Sequence, residues 1–247
     1  MNIGQYLDST YLKTPEQSGI SHGETLQKDK ELAQEAIDND LFAVMIRPDY
    51  VAEIKKYIQE RDSNVAVGTV IGFHEGTYSI DEKLAEAAKA IEDGADELDF
   101  VINYKAYLEG NTALVKEEFV QCTKLGLDHH KVVKWIIEIA ALTDEQIAGL
   151  TKKISGWAEE NFAERDLPHI FVKSSTGFFE TTGGKPNGAT FEGVKIMLDN
   201  AGKLPVKAAG GVRTPEDAER MINMGVKRIG TSSALALIKN QSSSEGY

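Results

Sequence analysis

The sequence predicts a single (β/α)8 TIM barrel, and three observations carry that prediction. Eight short, β-branched apolar runs alternate with eight longer amphipathic stretches. The 247 residues match the size of one such barrel. No G-x-G-x-x-G fingerprint follows the first runs, which sets aside a doubly wound sheet. The expected organisation is one catalytic domain over residues 1–240 and a flexible tail over 241–247, polar in composition and ending on Tyr247.

In chain order, the predicted strands are Gln5–Asp8, Phe42–Arg47, Val65–Gly72, Glu97–Asn103, Val132–Glu138, His169–Ser174, Pro205–Ala209 and Arg228–Gly230. After the first strand, Gly23–Asn39 is charged and amphipathic. Asp49 is expected to cap a helix over Tyr50–Glu60. Apolar residues at helical spacing mark Ser79–Asp93, Ala113–Gly126, Thr143–Glu160 and Thr190–Asn200. Pro215 after Thr214 sits at a favoured first-turn position and opens Pro215–Met224. A last helix spans Ser233–Lys239.

Composition narrows the function. No apolar run reaches the ~18 residues of a membrane span, and Met1–Thr10 lacks the pattern of a signal peptide, so a cytoplasmic enzyme is expected. A net charge of −12 argues against general affinity for nucleic acid and keeps the chain soluble. Cys122 is the only cysteine, so neither an intrachain disulfide nor a cysteine metal site can form. His22, His74, His129, His130 and His169 lack metal-ligand spacing, and no metal or other cofactor is expected. The glycine-rich stretch Gly177–Lys185 has the wrong spacing for a P-loop, with Pro186 where Ser or Thr belongs.

Ionisable residues inside apolar strands are the informative exception. Alternate strand residues face the barrel interior and the surrounding helices. In the fourth strand Leu98, Phe100 and Ile102 share the helix-packing face, so Asp99 points inward with Glu97. The same parity turns Lys134 and Glu138 inward opposite Trp135 and Ile137. Lys173 points inward from the sixth strand and Lys207 from the seventh, and Asp8 joins them near the end of the short first strand. A buried ion-pair network that merely fills the barrel is the structural alternative, but desolvation makes such networks a poor source of stability. Converging on one barrel mouth, the set instead fits lysine chemistry. A second ammonium and an apolar pocket both lower the pKa of an amine from its reference near ~10.4, favouring attack on a carbonyl. Lys173 and Lys207, on adjacent strands, form such a pair, and Asp99 can shuttle the protons.

Two loops fit a phosphate. Gly210 and Gly211, with Arg213, follow the seventh strand, and Gly230, Ser232 and Ser233 follow the eighth at a helix start.

These residues carry a resemblance. Phe171-Val172-Lys173-Ser174-Ser175-Thr176-Gly177 resembles the Schiff-base strand of the deoxyribose-phosphate aldolases. Val206-Lys207-Ala208-Ala209-Gly210-Gly211-Val212-Arg213-Thr214 resembles the family's second-lysine and phosphate segment. Gly94–Asp99 is similar to its aspartate strand, and Tyr6–Leu12 to its opening motif. The resemblance spans roughly residues 5–240.

It implies a barrel that reversibly cleaves 2-deoxy-D-ribose 5-phosphate to acetaldehyde and D-glyceraldehyde 3-phosphate. Lys173 would form the Schiff base, Lys207 would depress its pKa, and Asp99 would relay protons with Lys134 and Asp8 in support. Gly177, Gly210, Gly211, Arg213, Gly230, Ser232 and Ser233 would surround the phosphate, and Tyr247 would assist proton transfer at the enamine carbon. The implied partners are small phosphorylated sugars and aldehydes, with a homodimer as a possible assembly. Four departures bear on substrate range and loop closure rather than on the reaction. Ser174 replaces a usual Thr, His74 a common Pro and Ile139 a frequent Thr, and the Phe178–Gly188 loop is long. A lysine aldolase for another phosphosugar and a non-catalytic phosphate-binding barrel are the alternatives.

Overall fold

A computed structural model describes residues 2–239. Eight parallel strands close into a barrel in sequence order: β1 (Leu7–Thr10), β2 (Ala43–Ile46), β3 (Ala66–Ile71), β4 (Glu97–Val101), β5 (Val132–Ile136), β6 (Ile170–Lys173), β7 (Val206–Ala209) and β8 (Arg228–Thr231). The connections carry α1 (Pro15–Ser18), α2 (His22–Asp38), α3 (Val51–Gln59), α4 (Ile80–Glu92), α5 (Tyr104–Leu108), α6 (Thr112–Asp128), α7 (Asp144–Asn161), α8 (Phe191–Asn200), α9 (Pro215–Met224) and α10 (Ala234–Ile238). The predicted (β/α)8 barrel is therefore the fold.

Caps explain most helix starts. Ser21, Ser79 and Thr143 each accept from the backbone three residues on, and Glu24, Glu82 and Gln146 return the bond to the cap backbone. Thr190 and Thr214 cap α8 and α9 through their hydroxyls. The outward strand faces build the packed layer: Trp135 stacks on Phe100 at 5.1 Å, meets Phe119, and donates its indole N–H to Thr123 Oγ1 at 2.9 Å.

Several expectations are corrected. The first strand begins two residues late because Ile3–Tyr6 is a 3-10 turn, pinned by Phe42 N–H on Gly4 O and by Gln5 Nε2 on Asp40 O. Asp8 is consequently the second residue of β1 and lies deep in the barrel, not near its end. Asp49 does not cap α3: it sits within a 3-10 turn, Pro48–Tyr50, and no side-chain cap bond forms there. Strand five stops at Ile136, and Glu138 lies beyond it with left-handed backbone (φ 57°). Ser233 precedes α10 without a side-chain cap. Two short helices went unpredicted. In α1, Thr14 and Gln17 form a capping box around Pro15, and Asn103 caps α5. The 241–247 tail and Tyr247 lie outside the described residues.

Candidate active site

The barrel register decides which charged side chains meet. Asp99 pairs with Lys134 across β4 and β5, Lys173 with Lys207 across β6 and β7, and Lys207 with Arg228 across β7 and β8. Inward parity then points all of these side chains at one axis.

At its centre Asp99 is fully buried. Its Oδ1 accepts from Lys134 Nζ at 2.7 Å, and its Oδ2 accepts from Lys173 at 2.7 Å and Lys207 at 2.9 Å. Lys134 also donates to Glu97 Oε2 at 2.7 Å. Lys207 reaches Asp8 Oδ2 at 2.5 Å. Arg228 closes the network below. It donates through Nε to Asp8 Oδ1 at 2.7 Å and through Nη1 to Glu97 Oε1 at 2.8 Å. Five of the six residues expected to do chemistry thus occur in the barrel, four in direct contact with Asp99 or its lysines.

The charges do not balance. Four basic groups (Lys134, Lys173, Lys207, Arg228) face three carboxylates (Asp8, Glu97, Asp99). Each base except Lys173 contacts two carboxylates; among the described residues Lys173 has one acceptor, and shares that oxygen with Lys207. The pKa directions follow this count. Burial first, then the ammonium groups of Lys207 and Lys134, bring Lys173 down to about 8 against the pull of Asp99. Burial would lower Lys207 too, but Asp8 and Asp99 together raise it. Burial opposes ionisation of Asp99, yet Lys134, Lys173 and Lys207 hold it well below the usual carboxylate range. Asp8 is lowered against burial by Arg228 and Lys207. Lys173 is therefore the amine in this cluster that gives up its proton most readily, beside Asp8 and Asp99 held as carboxylates and Lys207 held as an ammonium.

Gly177, Gly210, Gly211, Arg213, Ser232 and Ser233 follow the carboxyl ends of β6, β7 and β8. Gly177, Gly210 and Gly211 all have left-handed backbone, which glycine tolerates. At Gly211 a Cβ would stand 2.7 Å from Ala189 O, so the turn packs directly on the end of the Phe178–Gly188 loop. Gly230 lies in β8 opposite Asp8. Ser232 lines a cavity of about 640 Å³ with Thr10, Leu12, Lys13, Lys28 and Phe178. Ser233 N–H bonds Thr231 Oγ1 at 3.0 Å, and Arg213 is exposed before α9. In the loop after β6, Phe178 packs edge-on to Phe73 at 5.1 Å and stacks with His74.

One participant, Arg228, escapes the sequence reading, and another, Glu97, is only half legible in it. Arg228 was read only as a strand boundary, although a charged residue two before inward-facing Gly230 shares its face. Glu97 was placed inward without its partners.

A closed β/α barrel whose axis carries a lysine–carboxylate cluster ending at Lys173, the last residue of β6, is the arrangement of a barrel aldolase. The chain belongs to the DeoC/LacD family of aldolases, whose sequence model matches residues 6–240. It is 39% identical over 238 residues to the deoxyribose-phosphate aldolase of Caldicellulosiruptor saccharolyticus, covering 96% of each chain. To that of Thermococcus gammatolerans it is 39% identical over 246 residues, covering 99% of each. A solved structure of the tetrameric deoxyribose phosphate aldolase from Aeropyrum pernix aligns with TM-score 0.77 and 28% identity, over 96% of this chain and 89% of that one. No helix among the described residues is long and apolar enough to cross a membrane.

Proposed function

We propose that this aldolase reversibly cleaves 2-deoxy-D-ribose 5-phosphate to acetaldehyde and D-glyceraldehyde 3-phosphate through a Schiff base on Lys173, without a metal, in the cytoplasm. The observation that carries the reading is the imbalance of four bases against three carboxylates, with Lys173 the least satisfied amine. Its neutral form attacks the substrate aldehyde, and loss of water from the carbinolamine leaves an iminium on Lys173. The iminium takes the electron pair of the breaking carbon–carbon bond and becomes an enamine. Asp99, which touches Lys134, Lys173 and Lys207, is the proposed relay for protons entering and leaving the nitrogen. Lys207 keeps the neighbouring positive charge, supported by Lys134 and Asp8.

For the phosphate we assign Gly177, Gly210, Gly211, Arg213, Gly230, Ser232 and Ser233, because these loops share the mouth with Lys173 and their glycines permit close approach. Tyr247 is carried over by resemblance alone. A homodimer is the proposed assembly. Borohydride added with acetaldehyde should inactivate the enzyme and leave the mass adduct on Lys173, at a rate unchanged by chelator. Adducts confined to surface lysines would overturn the Schiff-base assignment, and a chelator-induced loss restored by zinc the metal-free one. Preference for dihydroxyacetone phosphate over acetaldehyde as donor would move the chain to another phosphosugar.

A further inference from the structure

Glu138 is a buried carboxylate that the chemistry above does not use. It lies just beyond β5, on the edge that continues to bond the exit of β6: Ile137 N–H donates to Lys173 O at 3.0 Å, and Ile139 N–H to Ser174 O at 2.9 Å. Its left-handed backbone places it between those two bonds, and only 1% of it is exposed. The two carboxylate oxygens are treated differently. Oε2 accepts the backbone N–H of Thr176 at 3.2 Å and, through a short bond, the Thr176 hydroxyl. That hydroxyl in turn accepts from Phe178 N–H at 3.0 Å. Oε1 is buried and has no hydrogen-bond partner among the described residues. One oxygen is thus anchored and fixes the direction of the other.

Resting on the Schiff-base reading, we propose that Glu138 is a further catalytic residue: its free Oε1 is the base that takes the proton of the substrate hydroxyl on the carbon beyond the bond that breaks. As that O–H bond breaks, its electron pair becomes the carbonyl of the departing aldehyde. The carbon–carbon bond breaks, and its pair moves into the iminium on Lys173 to give the enamine. The proton stays on Glu138, which returns it to water, or to the alkoxide in the synthetic direction.

Asp99 is ill suited to that step. Both its oxygens accept from lysine amines, Oδ1 from Lys134 and Oδ2 from Lys173 and Lys207, so it serves the nitrogen and leaves no oxygen free for the substrate hydroxyl. The charged and titratable groups acting on Glu138 are Lys173 from β6, Glu75 from the loop after β3 and Tyr104 from α5. Burial, opposed by the two Thr176 bonds and by Lys173, lifts its carboxyl to about 7, where proton uptake and release are both accessible.

The test separates cleavage from a reaction lacking that hydroxyl. Acetaldehyde forms the Schiff base and enamine on Lys173 but has no such group. In the full-length enzyme, Glu138→Gln should lower deoxyribose 5-phosphate cleavage about 100-fold or more, as loss of a general base does. Borohydride trapping of acetaldehyde on Lys173 should stay within about three-fold of wild type on this mechanism. Glu138→Asp, which keeps a carboxylate, should recover part of the cleavage. Wild-type cleavage should also fall more steeply below about pH 7 than acetaldehyde trapping does, and Glu138→Gln should remove that extra steepness. Equal losses in both reactions, in the Gln and Asp variants alike, would make Glu138 structural and overturn the proposal, as would undiminished cleavage in Glu138→Gln. Absence of any acetaldehyde adduct on Lys173 in the wild type would be a different failure, that of the Schiff-base reading itself, and this step would fall with it.

Discussion

Two buried lysines in this molecule, Lys83 and Lys173, meet opposite fates. Lys83 lies in the helix layer on α4, wholly buried, with its stem under Gly72. Its Nζ has three acceptors: Gly76 O at 2.8 Å, Val101 O at 2.7 Å and the carboxylate of Glu118 on α6. Glu118 is completed by Asn103 N–H at 2.9 Å. An ammonium has three N–H donors, and here each has a partner. Lys173 is nearly as buried but has, among the described residues, one shared acceptor and cationic neighbours. Burial costs both side chains; what separates a structural lysine from a reactive one is how the charged form is served.

The comparison breaks most visibly in a pair of substitutions. Lys173→Ala should cut turnover by on the order of 10³-fold or more, since the covalent route disappears. It should not lower stability at pH 7. The sign follows from linkage. The folded pKa, about 8, lies below the ordinary lysine value of 10.5, so the unfolded chain binds more protons between them. Stability therefore rises with pH through that window, and at pH 7 the charged Lys173 is a cost that alanine removes. Lys83→Ala should do the reverse: a loss of roughly 3–5 kcal/mol, because Glu118 is left buried without its cation, with the acetaldehyde adduct still forming on Lys173. Thermal unfolding beside borohydride trapping reads both. Equal destabilisation by the two variants would erase the distinction.

A smaller change sharpens it. Lys207→Leu removes one of the positive charges holding Lys173 down and frees the Asp99 oxygen that the two lysines share. Both effects raise the Lys173 pKa above about 8, so less free amine exists at pH 7. Trapping should slow in proportion to the lost free amine, by roughly ten-fold, and its profile should move to higher pH. An unmoved profile would take Lys207 out of the electrostatics of Lys173.

The same contrast marks what the chain made legible. Strand parity placed Asp99, Lys134, Lys173 and Lys207 correctly, because a charged residue among outward-facing Phe100, Trp135 and Val172 has only the interior left to it. Asp8 was harder: Gln5 and Tyr6, read as the start of the strand, belong to the Ile3–Tyr6 turn, and the depth of Asp8 in the barrel depends on that boundary. Lys83 and Glu118 were invisible, since on amphipathic helices a charged residue reads as solvent-facing, and only the packing of α4 on α6 brings them together. Arg228 fell between the two cases, at a strand edge but on the inner face. Periodicity reports which face a residue occupies and leaves its partner unspecified.

Arg213 supplies the smallest expected effect and tests the comparison from the outside. Unlike either lysine it is exposed, on the segment between Gly211 and α9, and it forms no ion pair among the described residues. Exposed as it is, its side chain is not part of the packed core. If it meets the substrate phosphate, the contact is a screened surface interaction worth about 1 kcal/mol, or several-fold in affinity. Arg213→Ala should accordingly raise KM for deoxyribose 5-phosphate several-fold with kcat nearly unchanged, leave unphosphorylated deoxyribose unaffected, and lose most of its effect in high salt. The buried lysines differ in each respect, since their substitutions act on the chemical step or on folding and resist screening. Steady-state kinetics on both sugars at two ionic strengths decide it. Equal losses on the two sugars would remove Arg213 from the phosphate site, leaving the glycine turns and the serines after β8 to hold the anion.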